Sequence, residues 1–250
     1  MGVPGAHDLA RAAEAFRSAK RVICLSGAGI SVPSGIPDFR SPGGLWTRMD
    51  PMEYGTREAF IKEPAKVWSL FRELERLSRD ASPNPAHDAL ARLEAAGLLG
   101  RIITQNVDGL HQAAGSQRVT ELHGNGRRIR CARCSRTQER VPGDDATAGV
   151  PLCPCGGVLR LDVVLFGESL PVDAIRTAVA AAEAADLILV VGTSATVVPA
   201  STLPLMVLSH GGRILEMNLE RTLLSDRAAL RLEGDLTRTL PALAGALLDR

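Results

Sequence analysis

Val22-Ile23-Cys24-Leu25-Ser26-Gly27-Ala28-Gly29-Ile30-Ser31-Val32-Pro33-Ser34-Gly35 decides the fold. The stretch begins as a short, unbroken apolar run and ends as a glycine-rich turn. An apolar run without polar alternation suits a strand buried on both faces, the usual condition of a parallel sheet. A glycine turn directly after such a strand is where an α/β sheet binds the phosphates of a nucleotide. The dinucleotide fingerprint asks for a third glycine where Val32 stands, and no clear strand-ending acid for a ribose follows, so a hydride-transferring dehydrogenase fits poorly. Taken alone, the motif is a weak signal, with a tight turn that holds no ligand as the alternative.

Outward from this stretch, helices and strands alternate. Upstream, Leu9, Ala12, Ala13, Phe16 and Ala19 follow the spacing of an amphipathic helix. Downstream, Pro64 opens a helix carrying Val67, Trp68, Phe71 and Leu74, and Ala89, Leu90, Leu93 and Ala96 mark another that stops near Gly97. Residues 101–104, 187–191 and 214–217 read as strands, with an alanine-rich helix over 172–185 before the second of these. The order predicts an α/β fold, a Rossmann-like parallel sheet with helices on both faces. Over 127–161 the composition turns to Arg, Cys, Gly, Pro and Thr with no helical period, which predicts a small inserted module with a loop at Pro142, Gly143, Asp144 and Asp145. The expected division is therefore 1–126 and 162–250 for the sheet domain and 127–161 for the module, with a helical segment of about 41–80 packing beside it.

Charge and composition exclude several classes. The 250 residues hold 29 Lys+Arg against 28 Asp+Glu, so no overall field draws nucleic acid or an anionic membrane. Aromatic residues make up only 3%, leaving no row of stacking platforms for single strands. No apolar run reaches the ~18 residues of a membrane span, and residues 1–7 lack the basic and apolar regions of a secretory signal. A cytoplasmic monomer, with neither membrane nor sequence-specific nucleic acid as partner, is the expectation.

Four of the five cysteines lie between Cys131 and Cys155, and clustered cysteines in a reducing compartment more often hold metal than form disulfides. Cys131-x-x-Cys134 is a turn that lets two thiolates face one ion, and segment 135–152 gives the spacing of a structural zinc site. The second pair, Cys153-Pro154-Cys155, has a single intervening residue; in a regular strand its side chains would point to opposite faces, so a kink at Pro154 must turn both inward. Zinc is the expected ion, held structurally because four thiolates leave no open position, with a metal-free module as the alternative. Cys24, inside the apolar run, reads as inert core.

Three further segments set polar side chains beside strand ends: Ile36-Pro37-Asp38-Phe39-Arg40-Ser41, Thr104-Gln105-Asn106-Val107-Asp108-Gly109-Leu110-His111 and Glu121-Leu122-His123-Gly124. Amides, carboxylates, an arginine and an imidazole on one sheet edge suit a polar, phosphate-bearing ligand. A lone histidine is more often structural than catalytic, but Gly124 after His123 lets backbone approach closely and the ring face a cleft.

These blocks, GAGIS, GIPDFR, TQNVDGLH, ELHG, the cysteine pairs, LFGE, VVGTS and VVPA, occur in an order and spacing that resembles the sirtuins, NAD-dependent protein lysine deacylases, across 21–240. The resemblance implies that Gly27, Ala28, Gly29, Ile30 and Ser31 form the phosphate turn, and that Asp38, Phe39 and Arg40 lie on a loop closing over the ribose and nicotinamide, with Trp46 also on the cofactor side. It implies that Gln105, Asn106 and Asp108 hold the ribose and carboxamide beside Ile30 and Ile36. Gly192, Thr193 and Ser194 would supply a second phosphate and ribose contact, Asn218, Leu219 and Glu220 the adenosine side, and Leu236 the last adenine contact. Val164, Phe166, Gly167 and Glu168 on one side and Val197 on the other would clamp the substrate peptide as an added strand.

The implied reaction consumes NAD: the acyl oxygen of lysine attacks the ribose as nicotinamide leaves. His123 is then general base for a ribose hydroxyl, with Asn106 and Asp108 in the catalytic group, and O-acyl-ADP-ribose and free lysine are released. An imidazole, with an unperturbed pKa of about 6.5, suits that step at neutral pH. The family usually has two residues between the second cysteines, where this chain has one. Its succinyl- and malonyl-removing branch carries a Tyr and an Arg where Phe71 and Leu74 stand here, so an acidic acyl group is not expected; Arg72 and Arg76 are the nearby cations that could reverse this. Mono-ADP-ribosyl transfer, or lipoamidase-like removal of long acyl groups, uses the same pocket and stays open. A binding module with a degraded pocket is opposed by intact Asn106, Asp108 and His123.

Overall fold

The computed structural model describes residues 5–140 and 149–249, so the expected loop at Pro142 to Asp145 lies outside the described residues. The chain forms α1 (Ala6–Ser18), β1 (Val22–Ser26), α2 (Pro51–Tyr54), α3 (Arg57–Lys62), α4 (Pro64–Ser78), α5 (Pro85–Ala95), β2 (Arg101–Thr104), α6 (Leu110–Ala113) and β3 (Val119–Glu121). There follow β4 (Gly124–Cys131), β5 (Thr137–Glu139), β6 (Leu159–Val163), α7 (Val172–Ala184), β7 (Leu187–Val191), α8 (Thr202–Ser209), β8 (Arg213–Asn218), β9 (Leu230–Glu233) and α9 (Leu236–Leu248).

Six strands make one parallel sheet in the order β3-β2-β1-β7-β8-β9. The connection order reverses between β1 and β7, and the crevice outside the carboxyl ends of the strands at such a reversal is where α/β sheets bind ligands. Successive strand residues point to opposite faces. Val22 and Cys24 of β1 and Leu187, Leu189 and Val191 of β7 join α1, α5 and α9 on one face. Ile23, Leu25, Ile188 and Val190 join α7 and α8 on the other. Cys24 is fully buried among these side chains, and burial pushes its thiol far above the ordinary range, so it is inert core.

Helix starts follow local chemistry. Asn84 Oδ1 accepts from Ala86 N at 2.9 Å while Asn84 N donates to His87 Nδ1, a reciprocal cap at the start of α5. Asn84 also donates to Ile30 O at 2.8 Å and Ser34 Oγ at 2.9 Å, tying the glycine turn to α5. The segment 41–80 is broken into three helices because Asp50 and Thr56 cap new starts at Met52 and Ala59, and Pro64 opens the third.

The second sheet is antiparallel, in the order β5-β4-β6, and its strands run past the 127–161 window at both ends. It has little core of its own. Ile129, Leu161 and Val163 pack instead against Val67, Trp68 and Phe71 of α4. Trp68 is fully buried and donates Nε1–H to Leu159 O at 2.8 Å, as a buried indole requires.

Candidate active site

The strand ends at the reversal are drawn together by backbone and amide bonds. A Cβ on Gly29 would lie 2.8 Å from Gly192 O, and one on Gly27 2.6 Å from Thr193 Cβ. The β1 and β7 turns therefore lie too close for a side chain at Gly27 or Gly29, and Gly192 sits at φ +58°, where side chains are strained. Gln105 Nε2 donates to Thr193 Oγ1 at 2.9 Å, and Asn218 Oδ1 accepts from Thr193 N at 3.0 Å. Asn106 Nδ2 reaches Gly27 O at 3.1 Å and Ser31 Oγ at 3.2 Å. Four strand ends are thus held as one rigid rim.

Above this rim lies a cavity of about 570 Å³. Its walls bring together Gly27, Ala28, Gly29, Asp38, Phe39, Arg40, Trp46, Gln105, Asn106 and His123 with Gly192, Thr193, Ser194, Val197, Asn218, Leu219, Glu220 and Leu236. Val164, Phe166, Gly167 and Glu168 complete the wall from the side of the small sheet. Four expected residues stand off it. Ile30 is fully buried in the sheet core, behind the wall. Ile36 is half-buried beyond the wall. Ser31 donates to Asp108 Oδ2 at 2.7 Å, and Asp108 Oδ1 accepts from Leu110 N at 2.9 Å, so these two brace the turn from behind.

His123 is partly buried, and burial holds its pKa below the ordinary value even though the hydrogen bond to the Gln105 carbonyl raises it. Its Nδ1 lies 2.9 Å from Gln105 O. Because a carbonyl only accepts, Nδ1 carries the proton and Nε2 keeps its lone pair. The result is an oriented, neutral base on the cavity wall. Beneath it, His111 Nε2 meets Ser26 Oγ at 2.8 Å, and full burial lowers the His111 pKa to about 3. His87 stacks edge-on to His111 at 5.1 Å and is likewise lowered by burial.

The loop after the glycine turn is shaped by Asp38, whose carboxylate accepts from the N–H groups of Arg40 at 3.0 Å and Ser41 at 2.8 Å. Phe39, Trp46 and Phe166 form an aromatic chain across the cavity, with centroids 5.3 and 6.1 Å apart. At the far end, Leu70, Phe71 and Leu74 of α4 make an apolar wall. Arg72 turns away to Gly149 O at 2.7 Å, and Arg76 forks Glu73 at 2.7 and 2.8 Å, so neither cation lines the cavity. Val32, Pro33, Val198, Thr222 and Asp235 also reach the wall. Of these, Val32 and Pro33 belong to the glycine-rich stretch and Val198 to the VVPA block, whereas Thr222 and Asp235, the N-cap of α9, were not singled out by the sequence.

Glu168, on the wall, is also held from within the protein: its carboxylate is forked by Arg160 and accepts from Leu165 N at 3.0 Å. A second, wider depression of about 820 Å³ lies across the same 163–168 segment, lined by Arg57, Arg101, Arg128 and Arg130 and by Glu121, Asp162 and Asp173.

In the small sheet, Cys131, Cys134, Cys153 and Cys155 hold all four Sγ atoms within 4.8 Å of one another. Cys131 to Cys155 is 3.5 Å and Cys134 to Cys153 is 3.8 Å. Thiolates tetrahedral about zinc at about 2.3 Å stand roughly 3.8 Å apart, so the donor set fits that ion. Residues 153–156 form a tight turn, closed by Gly156 N to Cys153 O at 2.7 Å with Gly156 at φ +77°, which brings both sulfurs of the shortened pair inward. The Cys134 N–H donating to Cys131 Sγ, outweighing partial desolvation, lowers that thiol to about 6. Among the described residues no helix is long and apolar enough to cross a membrane.

The Sir2 family model matches residues 27–199. A protein of Pyrobaculum aerophilum described as NAD-dependent protein deacylase 2 is 44% identical over 238 residues, 92% of each chain. A crystal structure of a Sir2 homolog–NAD complex is 39% identical and superposes at a TM-score of 0.89 over 100% of this chain and 97% of the other. A Sir2 structure with a deacetylated p53 peptide and 3′-O-acetyl ADP ribose is 35% identical, also at 0.89, over 96% of this chain and 98% of that one. With more than half its length matched by the family model and relatives above 40% identity over nearly all of it, the chain belongs to the Sir2 family.

Proposed function

We propose that the chain is an NAD-dependent protein lysine deacylase, taking acylated lysine side chains of proteins as substrate. The observation that carries this reading is one cavity with two unlike ends, a glycine rim at the sheet reversal and an apolar wall on α4, with the neutral His123 between them. The glycine rim and the amides of Gln105 and Asn106 would hold the dinucleotide, since backbone approaches closely only where no Cβ intervenes. NAD, when bound, supplies a ribose carbon that can exchange nicotinamide for the acyl oxygen. His123 Nε2 takes the proton of a ribose hydroxyl, and Nδ1 shares the growing positive charge with Gln105 O. Phe39, Trp46 and Phe166 cover the reacting atoms from water. Val164, Phe166 and Gly167 opposite Val197 would receive the peptide as an added strand.

The four cysteines would hold one structural zinc, whose thiolates bind without chemistry of their own. We retain the division into a sheet domain and a small zinc-bearing module. We keep the expectation of a monomer, and thiols kept free for metal suit the cytoplasm. Phe71 and Leu74 favour acetyl or longer apolar acyl groups over succinyl and malonyl, since a carboxylate would find no cation on that wall. Incubation with NAD and a panel of acyl-lysine peptides, followed by mass spectrometry, tests the reading: loss of the acyl group with matched O-acyl-ADP-ribose is expected, and an untouched peptide would contradict it.

A further inference from the structure

Arg160 of β6 is 4% exposed, yet it reaches out of the small sheet toward the cavity wall. Its Nη1 and Nη2 fork Glu168 at 2.5 and 2.9 Å, Nη2 also donates to Val163 O at 2.5 Å, and Nε donates to Leu161 O at 3.3 Å. The guanidinium lies 5.3 Å from the Phe60 ring centroid. Glu168, in turn, accepts from Leu165 N at 3.0 Å. Each guanidinium nitrogen thereby donates at least once, and each acceptor belongs to the segment 161–168.

Burying an ion pair carries a desolvation penalty that apolar residues of the same volume avoid, so stability alone is a weak reason for this one. What the pair supplies is geometry. A fork fixes Glu168 in two directions, and Glu168 fixes the Leu165 N–H, so the strand between them has one shape. That strand separates the two depressions, and one of its edges is already committed, with Phe166 N on Gly55 O and Arg57 N on Phe166 O, both at 2.9 Å. Val164 N on His123 O at 2.9 Å ties it to the catalytic base.

We infer that Arg160 and Glu168 are positioning residues for the acyl-peptide wall: they act on substrate affinity through the backbone of 164–167 and touch neither the dinucleotide nor the reacting atoms. The inference rests on the reading of 164–168 as the peptide side of the cavity. It gives Glu168, which also lines the cavity, a positioning role beside its expected place on the peptide side.

The test compares the wild-type enzyme with Arg160→Lys, Glu168→Gln and, as a control on an exposed pair, Arg176→Gln. Initial rates are measured against acetyl-lysine peptide at saturating NAD and against NAD at saturating peptide, with ADP-ribose binding by calorimetry. Lys keeps the charge but cannot fork, and Gln keeps the shape but loses the charge. Both should lower kcat/KM for peptide about ten- to a hundredfold, mainly through KM, the size of one charge-assisted hydrogen bond. ADP-ribose affinity and the control should stay within about twofold, as for distant sites. A merely structural role would instead lower kcat and ADP-ribose binding together. Should Arg160→Lys fail to bind ADP-ribose, the isosteric Glu168→Gln decides alone. Unchanged peptide KM in folded variants, or ADP-ribose affinity falling in step, overturns the inference; absence of deacylation by the wild type overturns the functional reading beneath it.

Discussion

The two sheets hold their shape by different means. The parallel sheet buries both faces: every residue of β1 and of β7 is buried, and the apolar clusters on its two sides take up successive side chains. The antiparallel sheet leaves all of β5 exposed and shares its few apolar residues with α4. A sheet so small needs a staple, and its four clustered sulfurs are spaced to hold one as a bound zinc. The difference also divides the cavity. The glycine-rimmed end rests on the parallel sheet, whereas the apolar end rests on α4 and the 163–168 segment, which lean on the small sheet.

His123→Ala breaks the chemistry without touching either support, and should have the largest effect. Loss of a positioned base typically lowers turnover ~10²–10⁴-fold, while ADP-ribose binding measured by calorimetry persists. Turnover near wild type would remove His123 from its role.

Next is the staple. Cys131→Ser with Cys134→Ser, or removal of metal by a chelator, should release about one zinc per chain, expose the apolar surface between α4 and the small sheet, and lower the melting temperature. The division of labour sharpens this: peptide KM should rise before ADP-ribose affinity falls. Equal loss of both would mean that the two ends are not separately supported.

How much of this was legible follows the same division. Residues 187–191 and 101–104 showed as strands because parallel strands are continuous apolar runs. β4 did not, because Gly124, Asn125, Gly126, Arg127 and Arg128 carry no strand pattern, and only its cysteine betrayed the module. Phe71 and Leu74 showed as a helical stripe, but such a stripe reads the same whether it faces core or cavity. Glu168 showed only as part of the LFGE block and Arg160 carried no signal, since only the folding back of 161–168 brings the two together. Ile30, apolar beside the glycine turn, gave no sign that it packs in the core behind the wall.

A smaller effect is expected at the acyl end. Succinyl-lysine should be removed roughly a hundredfold less efficiently than acetyl-lysine on the same peptide, because an unpaired carboxylate against Phe71 and Leu74 costs several kcal/mol. Comparable kcat/KM values would mean that Arg72 or another cation swings into the wall.

The mildest test is pH. Burial lowers the pKa of His87, His111 and His123, so the folded state binds fewer protons than the unfolded chain below pH 6.5. Their stabilising contribution is fully present above 6.5 and is lost as pH falls toward the lowered values. The melting temperature should therefore decline on the acid side, and activity should keep its neutral plateau to below pH 6.5 before His123 protonates. An acid limb centred above 6.5 would contradict a depressed His123.

The most direct measurement follows NAD and an acetyl-lysine peptide together by mass spectrometry. One nicotinamide, one O-acetyl-ADP-ribose and one free lysine per turnover are the predicted products. ADP-ribose attached to protein with the acetyl-lysine intact, or free acetate formed with NAD unconsumed, would contradict the reading.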